Sequence, residues 1–132
     1  MAGVASAMVE AGRSTALFDI RDDEGKSRLT SKVWSRALSA GDEMAVELFE
    51  MAVDTLGVAV GSAVNLLDLE LVVVGGGLAE KLGQELADRI AAAAGPWMLQ
   101  PNPDLAFVVS SLGDDAGVVG AAALGRALVF TG

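Results

Sequence analysis

The chain has 132 residues, 52% of them hydrophobic and 20% charged, a composition that suits one folded domain and excludes a disordered or collagen-like chain. Eighteen acidic residues against nine basic ones give a net charge of −9, which argues against nucleic acid and anionic membrane surfaces as partners. Cysteine and histidine are both absent, so disulfides, thiolate zinc sites and Ser-His-Asp chemistry are excluded within the chain.

The elements follow from the N-terminus. Ala2 to about Ala11 is rich in helix formers and stops at Gly12, a C-cap residue. Phe18 to Lys26 turns polar after its first residues and reads as a loop whose acidic cluster, Asp22-Asp23-Glu24, faces solvent. Thr30 caps a short helix that places Val33, Trp34, Ala37 and Leu38 on one face, closed by Gly41. Asp42 caps the next helix, with Glu43 in its positive first turn, and that helix runs to about Leu67. Beyond Thr55 it is apolar nearly all round, which predicts burial. Gly57 and Gly61 lie in this stretch; each costs roughly 1 kcal/mol of helix propensity and opens a groove for another backbone.

The second half changes style. Leu71-Val72-Val73-Val74 is a short uninterrupted apolar run, the pattern of a strand buried on both faces, and it ends in Gly75-Gly76-Gly77. A helix is expected from about Ala79 to Ala94, stopped by Gly95-Pro96. Trp97 to Pro103 is loop and Leu105 to Val109 a second buried strand. Ser110 to Gly113 turns the chain, and Asp114 or Asp115 caps a final helix to about Val129. Two strands joined by a helical crossover should be parallel, with a right-handed connection. The expected class is α/β, a single unit over 1–132: a connector over 1–28, a helical part over 29–68 and a β-α-β-α unit over 69–132. No run reads as a membrane span, because Thr55 to Leu67 is short and lies between Asp54 and Asp68. With no basic flank at the N-terminus either, a cytoplasmic location is expected.

The glycine turn is the best candidate for chemistry. Gly75, Gly76 and Gly77 remove side chains from the carboxyl end of a parallel strand, where open α/β sheets bind ligands, and a helix start beyond them favours phosphate. The turn meets neither known glycine fingerprint: Glu80 stands where a dinucleotide motif needs glycine, and no P-loop exists. A tight turn without a ligand is the competing reading. The other candidates fit structural roles better: Asp114 and Asp115 as helix caps, Asn65 as a backbone partner, Trp34 and Trp97 as packing anchors.

Two stretches resemble a known family. Asn65-Leu66-Leu67-Asp68 followed by Val72-Val73-Val74-Gly75-Gly76-Gly77-Leu78 resembles the ROK (repressor, ORF, kinase) pattern of a helix end, a strand and a glycine pair or triplet, with Leu69 where the family carries proline. Leu112-Gly113-Asp114-Asp115-Ala116-Gly117-Val118-Val119-Gly120 resembles the family's last motif. The match is specific over about 29–129, and looser at Glu10-Ala11-Gly12-Arg13 and Leu17-Phe18-Asp19-Ile20. The resemblance implies the C-terminal part of an actin-like ATPase (ribonuclease H-like) fold, in which ATP with Mg and a sugar meet between two domains. It places Gly75, Gly76 and Gly77 on the adenosine side of the nucleotide and the long helix among dimer contacts. The family's N-terminal phosphate loop, catalytic Asp, sugar-holding Glu and His and Cys-rich zinc motif have no counterpart here, so no zinc and no catalytic residue is expected in this chain. The expectation is a part of an ATP-dependent, glucokinase-like sugar kinase, inactive alone, that binds nucleotide and self-associates, the sugar being a partner only in the full-length relative. The alternatives are a part of a ROK-type sugar-responsive repressor and a non-catalytic interaction module.

Overall fold

The computed structural model describes residues 1–100 and 102–130, with side chains omitted at Asp114 and over 127–130. Helix α1 (Ala2–Glu10) ends before Gly12, whose φ of +91° lies in the glycine-favouring region. Helix α2 (Leu17–Asp23) occupies the segment expected to be loop. Its polar composition conceals an anchor, because Leu17 is fully buried and Phe18 and Ile20 pack on the same cluster. Its acidic end is not simply solvated either. Glu24, the C-cap of α2, pairs with Lys32 and Arg36 of the following helix. Those two cations hold the Glu24 carboxyl below its usual pKa.

Helix α3 (Ser31–Ser39) is capped by Thr30, whose Oγ1 accepts from the amide of Val33 at 3.4 Å. Val33, Trp34 and Ala37 face inward. Helix α4 (Glu43–Leu67) follows through Gly41 and Asp42 and is the spine of the molecule. It ends at Asp68 in the left-handed conformation, φ +51°, a position that aspartate tolerates better than most residues.

Asp42 serves two helices at once. Its carboxylate accepts from the amide of Ala45 at 2.8 Å, capping α4. It also accepts from the amide of Ala16 at 2.7 Å and the hydroxyl of Thr15 at 2.9 Å, while Thr15 Oγ1 in turn accepts from Leu17 N at 3.1 Å. The start of α2 is therefore capped from a residue far along the chain, which local composition cannot reveal.

Strands β1 (Leu71–Val74) and β2 (Ala106–Val109) pair in parallel with Val74 opposite Val109, as the crossover requires. The expected two-sided burial is not met. Burial alternates in both strands, with Leu71 and Val73 more than half exposed. One sheet face is covered, through Val74, Phe107 and Val109, and the other is open. The crossover is also two helices rather than one, α5 (Gly77–Leu82) and α6 (Gln84–Ala94), because Gly83 at φ +63° breaks the run. A single 3-10 turn over Gly95–Trp97 ends α6. A second, over Gly113–Asp115, leads into α7 (Ala116–Phe130). The capping role given to Asp114 lies outside the described residues.

The groove expected at Gly57 and Gly61 is filled by α6 and its end. A Cβ at Gly57 would stand 2.6 Å from the Ala93 carbonyl carbon and Cβ, and one at Gly61 2.6 Å from Trp97 Cβ and 2.9 Å from Ala94 O. The burial expected all round α4 is met on this face only. Beyond Thr55, Leu56, Leu66 and Leu67 stay exposed, with no other element among the described residues covering them.

Two clusters make the core. One joins Leu17, Val33, Trp34, Met44 and Leu48; the other joins Phe49, Val53, Ala79, Leu86 and Ile90. Leu38 of α3 and Leu78 of α5 pack against both, so each of these helices touches the two clusters at once.

The double role of Asp42 is testable. Burial opposes its ionisation, but bonds from Ala16 N, Ala45 N, Thr15 Oγ1 and Met44 N outweigh that and lower its pKa. Its contribution to stability is therefore full above the ordinary aspartate value, about 3.9, and is lost as pH falls through the lower folded value. Asp42→Ala should cost roughly 1–2 kcal/mol at neutral pH and flatten the acid limb below about pH 4, read as urea midpoints across pH. Midpoints that parallel the unmodified chain at every pH would contradict the assignment.

Candidate functional site

The parallel register brings the ends of β1 and β2 level, so the two segments that leave them lie side by side. One is Gly75-Gly76-Gly77 and the other runs from Ser110 to Gly113. The amide of Ser110 donates to the carbonyl of Val74 at 2.9 Å, and a Cβ on Gly75 would lie 3.6 Å from Ser110 Cβ. Ser110 Oγ accepts from the amide of Leu112 at 3.3 Å and steadies its own turn. Gly113, at φ +49°, lies against α5: a Cβ there would be 3.8 Å from Glu80 Oε2. Gly75, Gly76, Ser111 and Leu112 are exposed.

The three glycines do different work. Gly76 has φ +102° and ψ 170°, a conformation closed to side-chain-bearing residues at low cost, yet a Cβ there would meet nothing within 4 Å. Its constraint is conformational and the space over it is open. Gly77 is the reverse: with ordinary backbone angles, a Cβ would stand 2.7 Å from Ser31 Oγ and 3.2 Å from Ser31 Cβ. Its missing side chain lets α5 meet the first turn of α3. Gly75 is limited by neither.

The electrostatics at the turn are weaker than a long helix would provide. Helix α5 has six residues, so its dipole is short, and Glu80 stands in its first turn with Lys81 Nζ at 3.2 Å. Phosphate attraction would rest on backbone amides rather than on a local positive field.

The other sequence candidates lie elsewhere. Asn65 bonds to backbone at both ends of its amide: Nδ2 donates to Trp97 O at 2.8 Å, and Oδ1 accepts from Leu99 N at 2.9 Å. Trp34 is a buried anchor, whereas Trp97 is 54% exposed, with its Cβ lying against Gly61. Among the described residues no group of three or more acidic side chains is placed to hold a metal. Four surface hollows exist whose linings include none of Gly75, Gly76 and Gly77. Sequence reasoning missed Ser31 and Ser110 as neighbours of the turn, since neither belongs to a motif and both are brought there by tertiary packing.

A parallel β-α-β unit that ends in paired turns, preceded by a capped helical bundle, defines a mixed α/β protein whose exposed glycines lie at the strand ends. The chain belongs to the ROK family, whose model matches residues 9–127. It is 32% identical over 114 residues to the N-acetylgalactosamine kinase AgaK of Shewanella sp. (strain ANA-3), a match that covers 86% of this chain and 36% of that protein. It is 41% identical over 88 residues to an N-acetyl-D-glucosamine kinase of Yersinia pseudotuberculosis serotype O:1b (strain IP 31758), covering 65% of this chain and 28% of that protein. An N-acetyl-D-glucosamine kinase of Pasteurella multocida (strain Pm70) is 29% identical over 110 residues, covering 79% of this chain and 33% of that protein. The chain thus spans about a third of the length of the curated relatives it matches. Among the described residues no helix is long and apolar enough to cross a membrane.

The packing of Gly77 on Ser31 predicts a compensating pair. Gly77→Ala should destabilise the chain by about 1–3 kcal/mol through overpacking, and Ser31→Gly in the same chain should recover much of the loss. Thermal unfolding of the two single variants and the double variant measures the coupling, and strictly additive effects would refute the contact.

Proposed function

We propose that this chain is the nucleotide-binding part of an ATP-dependent ROK sugar kinase. In this reading Gly75, Gly76 and Gly77 form the adenosine side of the ATP site within an actin-like fold. The observation that carries it is the open, side-chain-free backbone at Gly76, set at the end of β1 beside the Ser110–Gly113 turn. A nucleoside can lie flat against such a surface, and only glycine holds this backbone conformation without strain. Gly77 contributes by seating α5 against α3, which fixes where the turn points.

The reaction would be transfer of the γ-phosphoryl group of ATP to a sugar hydroxyl, with a carboxylate as general base. The names of the relatives favour an N-acetylhexosamine as the sugar; glucose is the other candidate that the family resemblance raises. Magnesium would travel with the triphosphate and neutralise its charge during transfer. No metal ligand and no general base is assigned to residues of this chain. Its own share is to bind and orient the nucleotide, in the cytoplasm, and alone it should leave sugars unmodified.

The test is a calorimetric titration with Mg-ATP and with ADP. Saturable binding is expected, weakened at least about tenfold, roughly 1.4 kcal/mol, by Gly76→Val, whose side chain would enter the open space over the turn. Binding unchanged by the substitution would remove the turn from the site. Phosphorylation of glucose or N-acetylglucosamine by this chain alone would overturn the division of roles.

We also propose self-association. Helix α4 presents Met51 and Val58, seven residues apart on one face, to solvent, and a long helix with uncovered apolar side chains is suited to packing on a second copy. Light scattering should give at least a dimer at micromolar concentration, and a monomer throughout would exclude it.

A further inference from the structure

A hollow of about 280 Å³ opens between the end of α3, the first half of α4 and the junction of α5 with α6. It lies at the opposite end of α5 from the glycine turn, and no residue of that turn lines it. Val46, Phe49, Leu82 and Leu86 supply an apolar lining, with Phe49 and Leu86 almost wholly buried. Its volume falls just below the range of drug-sized ligand pockets, about 300 to 1,000 Å³, so it suits only a small molecule.

The charges around it are unequal. Glu50, Glu85 and Arg89 all line the hollow. Arg89 is committed twice, to the Glu50 carboxylate and to the face of Phe49, with its guanidinium carbon 4.9 Å from the ring centroid. Glu85 is exposed and enters no ion pair among the described residues. Two carboxylates against one guanidinium leave the lining with one net negative charge, within a chain of net charge −9. An anionic ligand would have to displace Glu50 from Arg89 and face Glu85. A cation meets an unengaged carboxylate with no exchange of partners.

We propose that this hollow is a binding site for a small amphiphilic amine, its apolar body against Leu38, Val46 and Leu82 and its ammonium group donating to Glu85. An ion pair at a half-open site contributes modestly, so the apolar lining gives most of the affinity and Glu85 the selectivity for charge.

The test uses the whole chain, labelled with ¹⁵N, and three isosteric probes: 2-phenylethylammonium, 2-phenylethanol and phenylacetate. Saturable amide shifts at Val46, Phe49, Leu82 and Glu85 are expected for the amine. The alcohol should bind about fivefold more weakly and phenylacetate more weakly again. Glu85→Gln, a conservative change at an exposed position, should bring amine and alcohol to equal affinity. Equal binding of the two by the unmodified chain, shifts mapping elsewhere, or no shifts at about ten millimolar amine (a Kd limit near 2.7 kcal/mol of binding) would each overturn the proposal.

Discussion

The architecture depends on one close approach: α6 meets α4 where α4 has no side chains. At Gly57 and Gly61 the neighbouring atoms include the Ala93 carbonyl carbon and the Ala94 carbonyl oxygen, which are backbone and cannot rotate away. Everything downstream is positioned by that contact. Helix α6 carries Leu86 and Ile90 into the cluster around Phe49 and Val53, and the same cluster receives Phe107 and Val109 from β2. Two glycines in a long helix cost helix propensity, roughly 1 kcal/mol each, and that cost is offset by dispersion contacts available only at such short range. A core poor in aromatics makes the trade necessary, because small side chains bury little area each and must compensate by proximity.

The same logic extends to the glycine turn, where three adjacent glycines answer three separate constraints. Gly76 is required by backbone angle, Gly77 by the nearness of Ser31, and Gly75 by neither. A run of glycines read as one motif is thus partly a packing device. The part that packing does not use is the exposed backbone at Gly75 and Gly76, on which the proposed nucleotide site rests. Its placement beside the Ser110–Gly113 turn follows from strand register alone.

Much of the fold was legible because the signals were local. Thr30 and Asp42 cap the helices they precede, Gly12 and Gly41 take positive φ just beyond helix ends, and the two strands pair in parallel as a crossover demands. Helix α2 was illegible for the opposite reason. Its sequence is polar, and what stabilises it lies far away: Asp42 across its N-terminus, Lys32 and Arg36 on Glu24, and a pocket for Leu17. The break at Gly83 was missed because strong helix formers flank it, so composition favoured one continuous helix. Of the candidate site, the turn itself could be read from sequence. Ser31 and Ser110 could not, since only tertiary packing brings them to it.

The strands show where composition and this chain part company. Leu71, Val73 and Val108 are as apolar as their neighbours, yet they face outward, together with Leu56 on α4 and Val118 and Leu124 on α7. Parallel sheets are normally covered on both faces, because each strand is apolar on both sides and neither side can be left to water without loss. The covered face is satisfied by α5 and α6; the open face carries the same demand, with nothing among the described residues to meet it. A family whose matched relatives are about three times as long supplies a reason for that demand. The uninterrupted run Leu71–Val74 is a strand with one face covered and one open among the described residues, because an apolar run records what both faces would accept and not how many layers stand over them.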